Sequence, residues 1–90
     1  MRQEFVIDLK GATDADAIQD ALAANLPLPS DYGRNLDAFY DVLTEYGADW
    51  RIVFRNAGRA ATSLRAVCRD AVAETPGLEV VFERRRRKQP

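Results

Sequence analysis

The sequence predicts an α/β fold: a three-stranded parallel β-sheet packed with about three to four helices, in the order β-α-α-β-α-β. Short β-rich runs alternate with longer segments in which apolar residues recur every three or four positions. Parallel neighbours require a long return path, which a helix supplies, so this alternation favours parallel strands with right-handed crossovers. The length of 90 residues, of which 47% are hydrophobic and 30% charged, suits one domain with a single core.

The chain begins with a strand predicted over residues 4–10, where apolar and polar residues alternate. Its apolar positions are Phe5, Ile7 and Leu9. Thr13 or Asp14 can then cap a helix over residues 15–25, which stops before Pro27. The predicted buried stripe of this helix consists of Ala17, Ile18, Ala21, Leu22 and Ala24.

An ordered connector over residues 26–33, which contains two prolines and a glycine, leads to a second helix over residues 36–46. Asn35 can cap this helix, and Gly47 can end it. The core-facing stripe is predicted at Leu36, Phe39, Leu43 and Tyr46. The run WRIVF at residues 50–54 is suited to a second strand that is buried on both faces.

Residues 55–61 are open to two interpretations, a short helical turn or a loop. Thr62 or Ser63 then opens a third helix that runs to residue 74, where a Pro-Gly pair ends it. The apolar face of this helix is predicted at Leu64, Val67, Cys68, Ala71 and Val72. The third strand follows at residues 78–82, with the sequence LEVVF.

Charge is distributed unevenly along the chain. Five of the thirteen basic residues lie within the last seven positions, and they are Arg84, Arg85, Arg86, Arg87 and Lys88. Positions 1–83 contain the remaining eight basic residues and fourteen acidic residues, which gives that part of the chain a net charge of −6. A body with this charge favours a cationic partner. We therefore expect a folded domain at residues 1–83 and a basic, flexible tail at residues 84–90.

The residue types that are missing restrict the chemistry. The chain has no histidine, which removes Ser-His triads, histidine general bases and the commonest zinc sites. Its five glycines are scattered singly, so no glycine-rich loop is present to bind phosphate. We therefore expect a protein that is not an enzyme, with no catalytic residues, no cofactor and no metal site.

Cys68 is the single cysteine, and its place on an apolar helical face predicts a small buried hydrophobe in preference to a reactive thiol. One cysteine cannot form an internal disulfide, and the first residues lack the pattern of a secretion signal. No apolar run reaches the roughly 18 residues that a membrane span requires. A cytoplasmic location without membrane contact is the resulting expectation.

Three acidic residues, Asp37, Asp41 and Glu45, lie four positions apart on the second predicted helix. Their side chains therefore stack along one face, which we call the acidic face, with about 5–6 Å between neighbouring Cβ atoms. Like charges at this spacing are destabilising, although Asp37 in the first turn gains from the helix dipole. The pattern is typical both of an ordinary solvated face and of a surface that binds a basic protein.

The segment LPLPSDYGRNLDAFYDVLTEYG around the acidic face resembles the barstar family of intracellular ribonuclease inhibitors. A Tyr-Gly turn and an Asn cap lead into a helix that carries the pattern Asp-Ala-x-aromatic-Asp. The residues that carry the resemblance are Leu28, Pro29, Tyr32, Gly33, Asn35, Leu36, Asp37, Ala38, Tyr40 and Asp41. The predicted element order over residues 1–83 is also that of the family, whose fold is a three-stranded parallel sheet packed with helices.

The resemblance implies an inhibitor that blocks the active site of a basic microbial ribonuclease, one to one, and so protects the producing cell as an antitoxin or immunity protein. Its carboxylates would occupy the places of substrate phosphates. By position, Asp41 matches the central anchor of the family, with Asp37 beside it and Tyr40 in the aromatic position between them. Asp70 matches a supporting acidic position, and Glu45 lies at the rim. Buried carboxylates need donors for every lone pair, and an arginine-rich nuclease site supplies them.

Three residues depart from the family pattern. Asp31 stands where the best-known member has an aromatic residue, Tyr40 stands in place of tryptophan, and Asp70 in place of a longer glutamate. These changes bear on the choice of partner more than on the fold. Asn35 is also expected to cap the helix, and Gly33 to supply a turn conformation that other residues reach poorly. The full set of predicted partner-binding residues is Asp31, Tyr32, Gly33, Asn35, Asp37, Tyr40, Asp41, Glu45 and Asp70.

Three alternatives stay open at this point. The basic residues 84–88 resemble a nucleic-acid-binding tail, which would act through counterion release. The partner of a barstar-like antitoxin could be a toxin other than a ribonuclease. Asp37, Asp41 and Asp70 could instead bind a metal ion for phosphoryl chemistry, and the absence of histidine does not exclude this.

Overall fold

A computed structural model describes residues 2–83 and confirms the predicted fold class. The elements are β1 (Gln3–Asp8), α1 (Ala15–Asn25), α2 (Leu36–Tyr46), β2 (Trp50–Arg55), α3 (Ala61–Glu74) and β3 (Glu79–Phe82), with a 3-10 turn at Gly47–Asp49. All strand pairs are parallel, and the strand order β1-β2-β3 places β2 in the centre. The predicted tail at residues 84–90 lies outside the described residues.

The core lies between the helices and one face of the sheet. Ile7, Phe54 and Phe82 are in-register partners across the three strands, and the rings of Phe54 and Phe82 stack with centroids 4.8 Å apart. Phe5 meets the ring of Trp50 edge-on at 5.3 Å. Helix α1 packs on β1, α3 packs on β3, and α2 packs on α3. The side chains that α2 and α3 bury most deeply are Phe39, Leu43, Ala61, Leu64, Cys68 and Ala71.

The opposite face of the sheet carries charged residues around a few valines. Arg51 of β2 forms ion pairs with Glu4 of β1 and Glu79 of β3 on either side. Val53 is 5% exposed, whereas Val6 beside it is 45% exposed. The expectation that the second strand is buried on both faces therefore holds at Val53 and is wrong at Arg51, because ion pairs keep that side chain at the surface.

Two of the three helices begin where a side-chain cap was predicted. An Asp14 carboxylate oxygen accepts from the Ala17 N–H at 2.8 Å, and the Asn35 amide oxygen accepts from the Ala38 N–H at 2.7 Å. The prediction that Thr62 or Ser63 opens the third helix is wrong.

Helix α3 begins at Ala61, and the backbone at Ala60 is already helical with no side-chain cap. Residues 56–60 form a loop that turns at Asn56 (φ 53°), and the Ala61 N–H donates to the Gly58 carbonyl at 3.1 Å. Loop closure, and not a capping side chain, therefore sets the start of α3. Of the two interpretations of this segment, the loop is the one observed.

The first strand is shorter than predicted, since β1 ends at Asp8. Lys10 (φ 54°) and Gly11 (φ 66°) both adopt the left-handed conformation, which a strand cannot contain. Leu9 nonetheless stays buried in the core, as the alternation predicts.

The predicted buried stripes are wrong at four positions. Ala17 and Ala24 of α1 are exposed. The buried residues of that helix are Ile18, Gln19 and Leu22. Tyr46 and Val72 are 50% and 38% exposed. Tyr46 is the last residue of α2, where the chain turns away, and Val42 is buried in addition to Phe39 and Leu43.

No helix formed by residues 2–83 is long and apolar enough to cross a membrane.

Candidate partner-binding surface

The connector before α2 is anchored to α1 by a buried polar contact. The Tyr32 hydroxyl donates to the Gln19 side-chain oxygen at 2.6 Å, and Gln19 is only 4% exposed. Burial raises the pKa of the Tyr32 phenol, although the bond to Gln19 and the nearby Arg34 oppose this, so the hydroxyl stays a donor at neutral pH. Tyr32 thus fixes the path of the chain into α2.

The turn into α2 departs from its prediction. Gly33 was expected to supply the unusual backbone conformation, but the left-handed residue is Arg34 (φ 55°). The Arg34 guanidinium pairs with the Asp20 carboxylate of α1 at 2.8 Å, which holds the turn against that helix. Gly33 has a different role. A Cβ at this position would lie 3.3 Å from the Asn35 amide nitrogen, so glycine leaves room for the capping side chain.

The rotation of α2 is fixed by its buried side. Phe39 and Leu43 are fully buried and Val42 nearly so, and they hold that side of the helix against the core. The acidic face lies on the other side, and Asp37, Asp41 and Glu45 are all exposed. None of the three carboxylates forms an ion pair or a hydrogen bond with any residue between positions 2 and 83. By contrast, five ion pairs join other acidic residues to arginines in the same part of the chain.

Tyr40 borders the acidic face. It is half-buried and packs against the edge of the core, so one side of its ring is held while the rest reaches the surface. The Thr44 hydroxyl, one turn further along, donates to the carbonyl oxygens of Tyr40 and Asp41 at 3.0 and 3.2 Å. An anchored aromatic side chain therefore lies next to exposed carboxylates on the same helix.

The two more distant acidic positions lie on neighbouring segments. Asp31 is exposed in the connector, and Asp70 is exposed on α3, the helix against which α2 packs. At roughly 100° per residue, Asp70 falls on the flank of α3 that is turned away from Arg65 and Val72, which border β3. Asp70 forms no ion pair within residues 2–83, so a simple pairing with Arg69 does not account for it.

The chain matches a known protein family over nearly its whole length. A protein-family model described as "Barstar (barnase inhibitor)" matches residues 2–87. The chain belongs to the barstar family. The resemblance that the connector and α2 indicated is thereby confirmed. No curated protein matches the chain.

Membership of the barstar family supports the expectation of an inhibitor, because the members of this family are inhibitors and not enzymes. The described residues, 2–83, contain no group of three or more cysteine, aspartate or glutamate side chains that could hold a metal ion. Asp37, Asp41 and Asp70 are therefore not arranged as a metal site in this structure.

The structure adds positioning residues that the sequence pattern did not indicate. Gln19, Asp20 and Arg34 hold the connector. The sequence pattern predicts no role for Gln19, because a polar residue inside an apolar stripe gives no signal of its partner. The spacing of apolar residues predicts Tyr46 in the core, yet it is half-exposed at the end of α2 beside Glu45. Its position in the last turn of the helix was the signal that could have indicated this.

Proposed function

We propose that this barstar-family protein inhibits a basic ribonuclease by inserting the acidic face of α2 into the active site, one inhibitor to one nuclease. The observation that carries the proposal is the line of exposed carboxylates at Asp37, Asp41 and Glu45, which pair with no residue from 2 to 83 and lie on a helix whose rotation is fixed by its buried side. The carboxylates would take the places of substrate phosphates. The producing cell would be protected from its own nuclease.

The physical argument for this role is that Asp37 and Asp41 have no basic partner among residues 2–83 of the free protein. A nuclease that binds RNA phosphates presents arginine and lysine donors, and an arginine can bind a carboxylate through two parallel hydrogen bonds. Because Asp37 and Asp41 have no ion pair with residues 2–83 to break, the electrostatic cost of association at these two carboxylates is their desolvation. The capped N-terminus of α2 holds Asp37 and Asp41 in place before binding, which lowers the ordering cost.

Within this surface we assign Asp41 as the anchor, because it lies in the middle of the acidic face. Asp37 and Tyr40 contact the nuclease beside it, and Glu45 contributes at the rim. The remaining proposed contacts or supports are Asp31, Tyr32, Gly33, Asn35 and Asp70. Tyr32, Gly33 and Asn35 act mainly by shaping the turn, since their side chains or backbone already contact other residues of the turn or α1.

The anchor is tested by the isosteric change Asp41→Asn, with inhibition and Kd measured against a basic ribonuclease of the barnase type. Removing one member of a desolvated charge pair costs about 2–5 kcal/mol, so we expect the Kd to rise roughly thirtyfold or more. The barnase–barstar complex is itself one of the systems on which this generalisation rests, so the magnitude is the one already known for that pair.

The matched control is Glu4→Gln, which removes the same charge from the opposite face of the sheet, where Glu4 pairs with Arg51. This variant should inhibit like the parent protein. Equal inhibition by Asp41→Asn and the parent would show that Asp41 is not the anchor. Equal loss in both variants would show that net charge, and not the acidic face, governs binding.

Asp31 gives a reason to test more than one partner. In place of an aromatic residue it adds an exposed carboxylate to the connector that leads into α2, which favours a partner with one more basic group at that position. A basic toxin that is not a ribonuclease would meet the same chemistry. Binding to a ribonuclease that is indifferent to Asp31→Tyr would argue against a role for this residue in partner choice.

The basic residues 84–88 are an accessory to this function in our proposal, although the family match extends as far as residue 87. Truncation after Glu83 separates the inhibitor domain from any binding of RNA by the tail. Full inhibition together with loss of RNA retention would make the tail an accessory. Loss of inhibition would place the boundary of the inhibitor domain beyond residue 83.

A further inference from the structure

The outer edge of β3 is open within the described part of the chain. Strand β3 pairs only with β2, and the Glu83 N–H donates to the Phe54 carbonyl at 2.9 Å. Backbone groups of a strand alternate in direction with a period of two, so Glu79 and Val81 also turn toward β2. Val80 and Phe82 therefore direct their N–H and C=O groups outward, where no residue from 2 to 83 bonds to them. A sheet edge of this kind can accept a further strand.

A groove runs beside this edge, between β3 and α3. Its volume is about 270 Å³, and it is lined by Arg65, Cys68, Arg69, Val72, Val80 and Phe82. Val72 is 38% exposed at its wall, and Val80 and Phe82 are half-buried. Cys68 closes the floor, where burial raises the pKa of the thiol to about 12 and keeps it neutral. The groove can therefore receive an apolar side chain from a strand added at the edge.

The charged side chains around the groove favour an added strand that carries acidic residues. The Arg65 guanidinium lies over the Phe82 ring, 4.5 Å from its centroid, and Arg69 is exposed one turn further along α3. Neither forms an ion pair with an acidic residue of the described chain, whereas Arg2, Arg34, Arg51 and Arg55 all do. A body with net negative charge thus presents a basic rim at this edge, which complements an acidic segment.

A second copy of the chain fits this edge poorly. Two-fold pairing of β3 with β3 of another copy would bring the Arg65 and Arg69 side chains of both copies to the same groove region. Repulsion between like charges would oppose that arrangement. The charge pattern therefore favours an acidic partner over self-association.

We propose that the outer edge of β3 binds an extended acidic segment of another protein as a fourth strand of the sheet. Two acidic side chains, two residues apart, would pair with Arg65 and Arg69, and an apolar side chain two residues further would enter the groove beside Val72. The spacing of the two acidic side chains agrees with that of the two arginines, because alternate strand residues lie about 6.6–6.8 Å apart and the four-residue step from Arg65 to Arg69 rises about 6 Å. This surface is distinct from the acidic face of α2.

The probe is a blocked peptide of sequence Thr-Glu-Thr-Glu-Thr-Val-Thr, together with its reversed sequence, since the added strand can run either way. Binding to the full chain is followed by the amide chemical shifts and hydrogen exchange of Val80 and Phe82. We expect one of the two peptides to shift these amides and slow their exchange. A peptide with lysine in place of both glutamates should bind at least tenfold more weakly.

The variant Arg65→Ala with Arg69→Ala should weaken binding at least tenfold, while Arg55→Ala, which removes an arginine from the other face of the sheet, should not. Unchanged binding by the double variant, or equal binding of the lysine peptide, would overturn the proposal. The proposal would also be overturned if the amide chemical shifts of Val80 and Phe82 depended on protein concentration in the absence of peptide, since this would assign the edge to a second copy. Loss of all binding on truncation after Glu83, with the β3 amides unaffected in the full chain, would assign binding to the tail alone.

Nuclease inhibition is measured on the same variants and separates the two surfaces. The Arg65 and Arg69 changes should leave inhibition unaltered, and Asp41→Asn should leave peptide binding unaltered. Failure of the peptide experiment therefore contradicts the β3 proposal alone.

Discussion

At the scale of single residues, Gly58 and Asp8 join the two loops at the carboxyl ends of β1 and β2. A Cβ at Gly58 would lie 2.3 Å from the Ala12 carbonyl oxygen, so no other residue fits there without moving the backbone. The Asp8 carboxylate accepts from the Lys10 N–H at 2.8 Å and from the Asn56 amide at 3.0 Å. These contacts determine where the loop after β2 turns and hence where α3 begins.

Asp8 makes a testable contribution to pH-dependent stability. The hydrogen bond from Asn56, and then the one from the Lys10 N–H, lower the pKa of the Asp8 carboxyl below its ordinary value. A folded-state pKa below the unfolded value means that the stabilisation is present above the unfolded pKa of about 3.9 and is lost as the pH falls through the folded pKa. We expect Asp8→Asn to lower the urea midpoint at neutral pH and to approach the parent protein in acid.

The measurement is the urea midpoint of both proteins between about pH 2.5 and pH 7. Asp49→Asn is the control, because the Asp49 carboxylate makes no hydrogen bond within residues 2–83. A difference between Asp8→Asn and the parent that stays constant over the whole pH range would contradict the assignment.

At the scale of secondary structure, α2 is the element on which the proposed function depends. Its N-terminus is fixed by the Asn35 cap, its rotation by the side chains that it buries, and its end by Gly47, whose N–H donates to the Leu43 carbonyl. The connector before it is tied to α1 through Tyr32 with Gln19 and through Arg34 with Asp20. The acidic face is thus presented by a helix held at its start, along its buried side and at its end.

The Asn35 cap of α2 should contribute to the free energy of unfolding independently of partner binding. Asn35→Ala leaves the Ala38 N–H without its acceptor and should lower the free energy of unfolding by about 0.5–2 kcal/mol, whereas Asn35→Gly should lower it by less. Denaturant unfolding measures both. Asn25→Ala, at the far end of α1, is the control because its amide donates to a carbonyl and caps no N-terminus.

Inhibition should fall much less in Asn35→Ala than in Asp41→Asn, since the helix still forms in the folded protein. A cap variant that kept full stability would show that the Asn35 bond contributes little. A cap variant that kept full stability and lost inhibition would make Asn35 a direct contact with the partner.

At the scale of the whole molecule, charge is separated between two surfaces. The acidic face projects from α2, while Arg65 and Arg69 border the outer edge of β3, with the basic residues 84–88 following in the sequence. Most other arginines of the described body are neutralised by ion pairs with carboxylates. The long-range field on the α2 side is therefore negative and should accelerate encounter with a basic protein.

This field predicts a salt-dependent association rate. Raising the ionic strength from about 0.01 M to 0.15 M shortens the Debye length from about 30 Å to 8 Å, so the association rate with a basic nuclease should fall roughly tenfold or more. The dissociation rate should change much less. Stopped-flow kinetics at several salt concentrations provide the measurement, and an association rate that does not respond to salt would contradict electrostatic steering.

Sequence by itself determined the order of the elements, the cap at Asn35, the burial of Cys68 and the four-residue spacing of the acidic face, and it narrowed the cap of α1 to Thr13 or Asp14. Each of these depends on residues within about four positions of one another, because helical periodicity and capping are local interactions. The family motif around α2 is local in the same sense, which is why it could be recognised from a short segment.

Only the tertiary structure decided the remaining features. The start of α3 at Ala61, the burial of Gln19 and the left-handed Arg34 all depend on contacts between segments that are distant in sequence. The same holds for the edge of β3 and for Asp37 and Asp41, which have no partner among residues 2–83, since a pattern of charges does not reveal which arginines come close. Loop closure and ion pairing are set by the packed chain as a whole, and a local pattern cannot specify them.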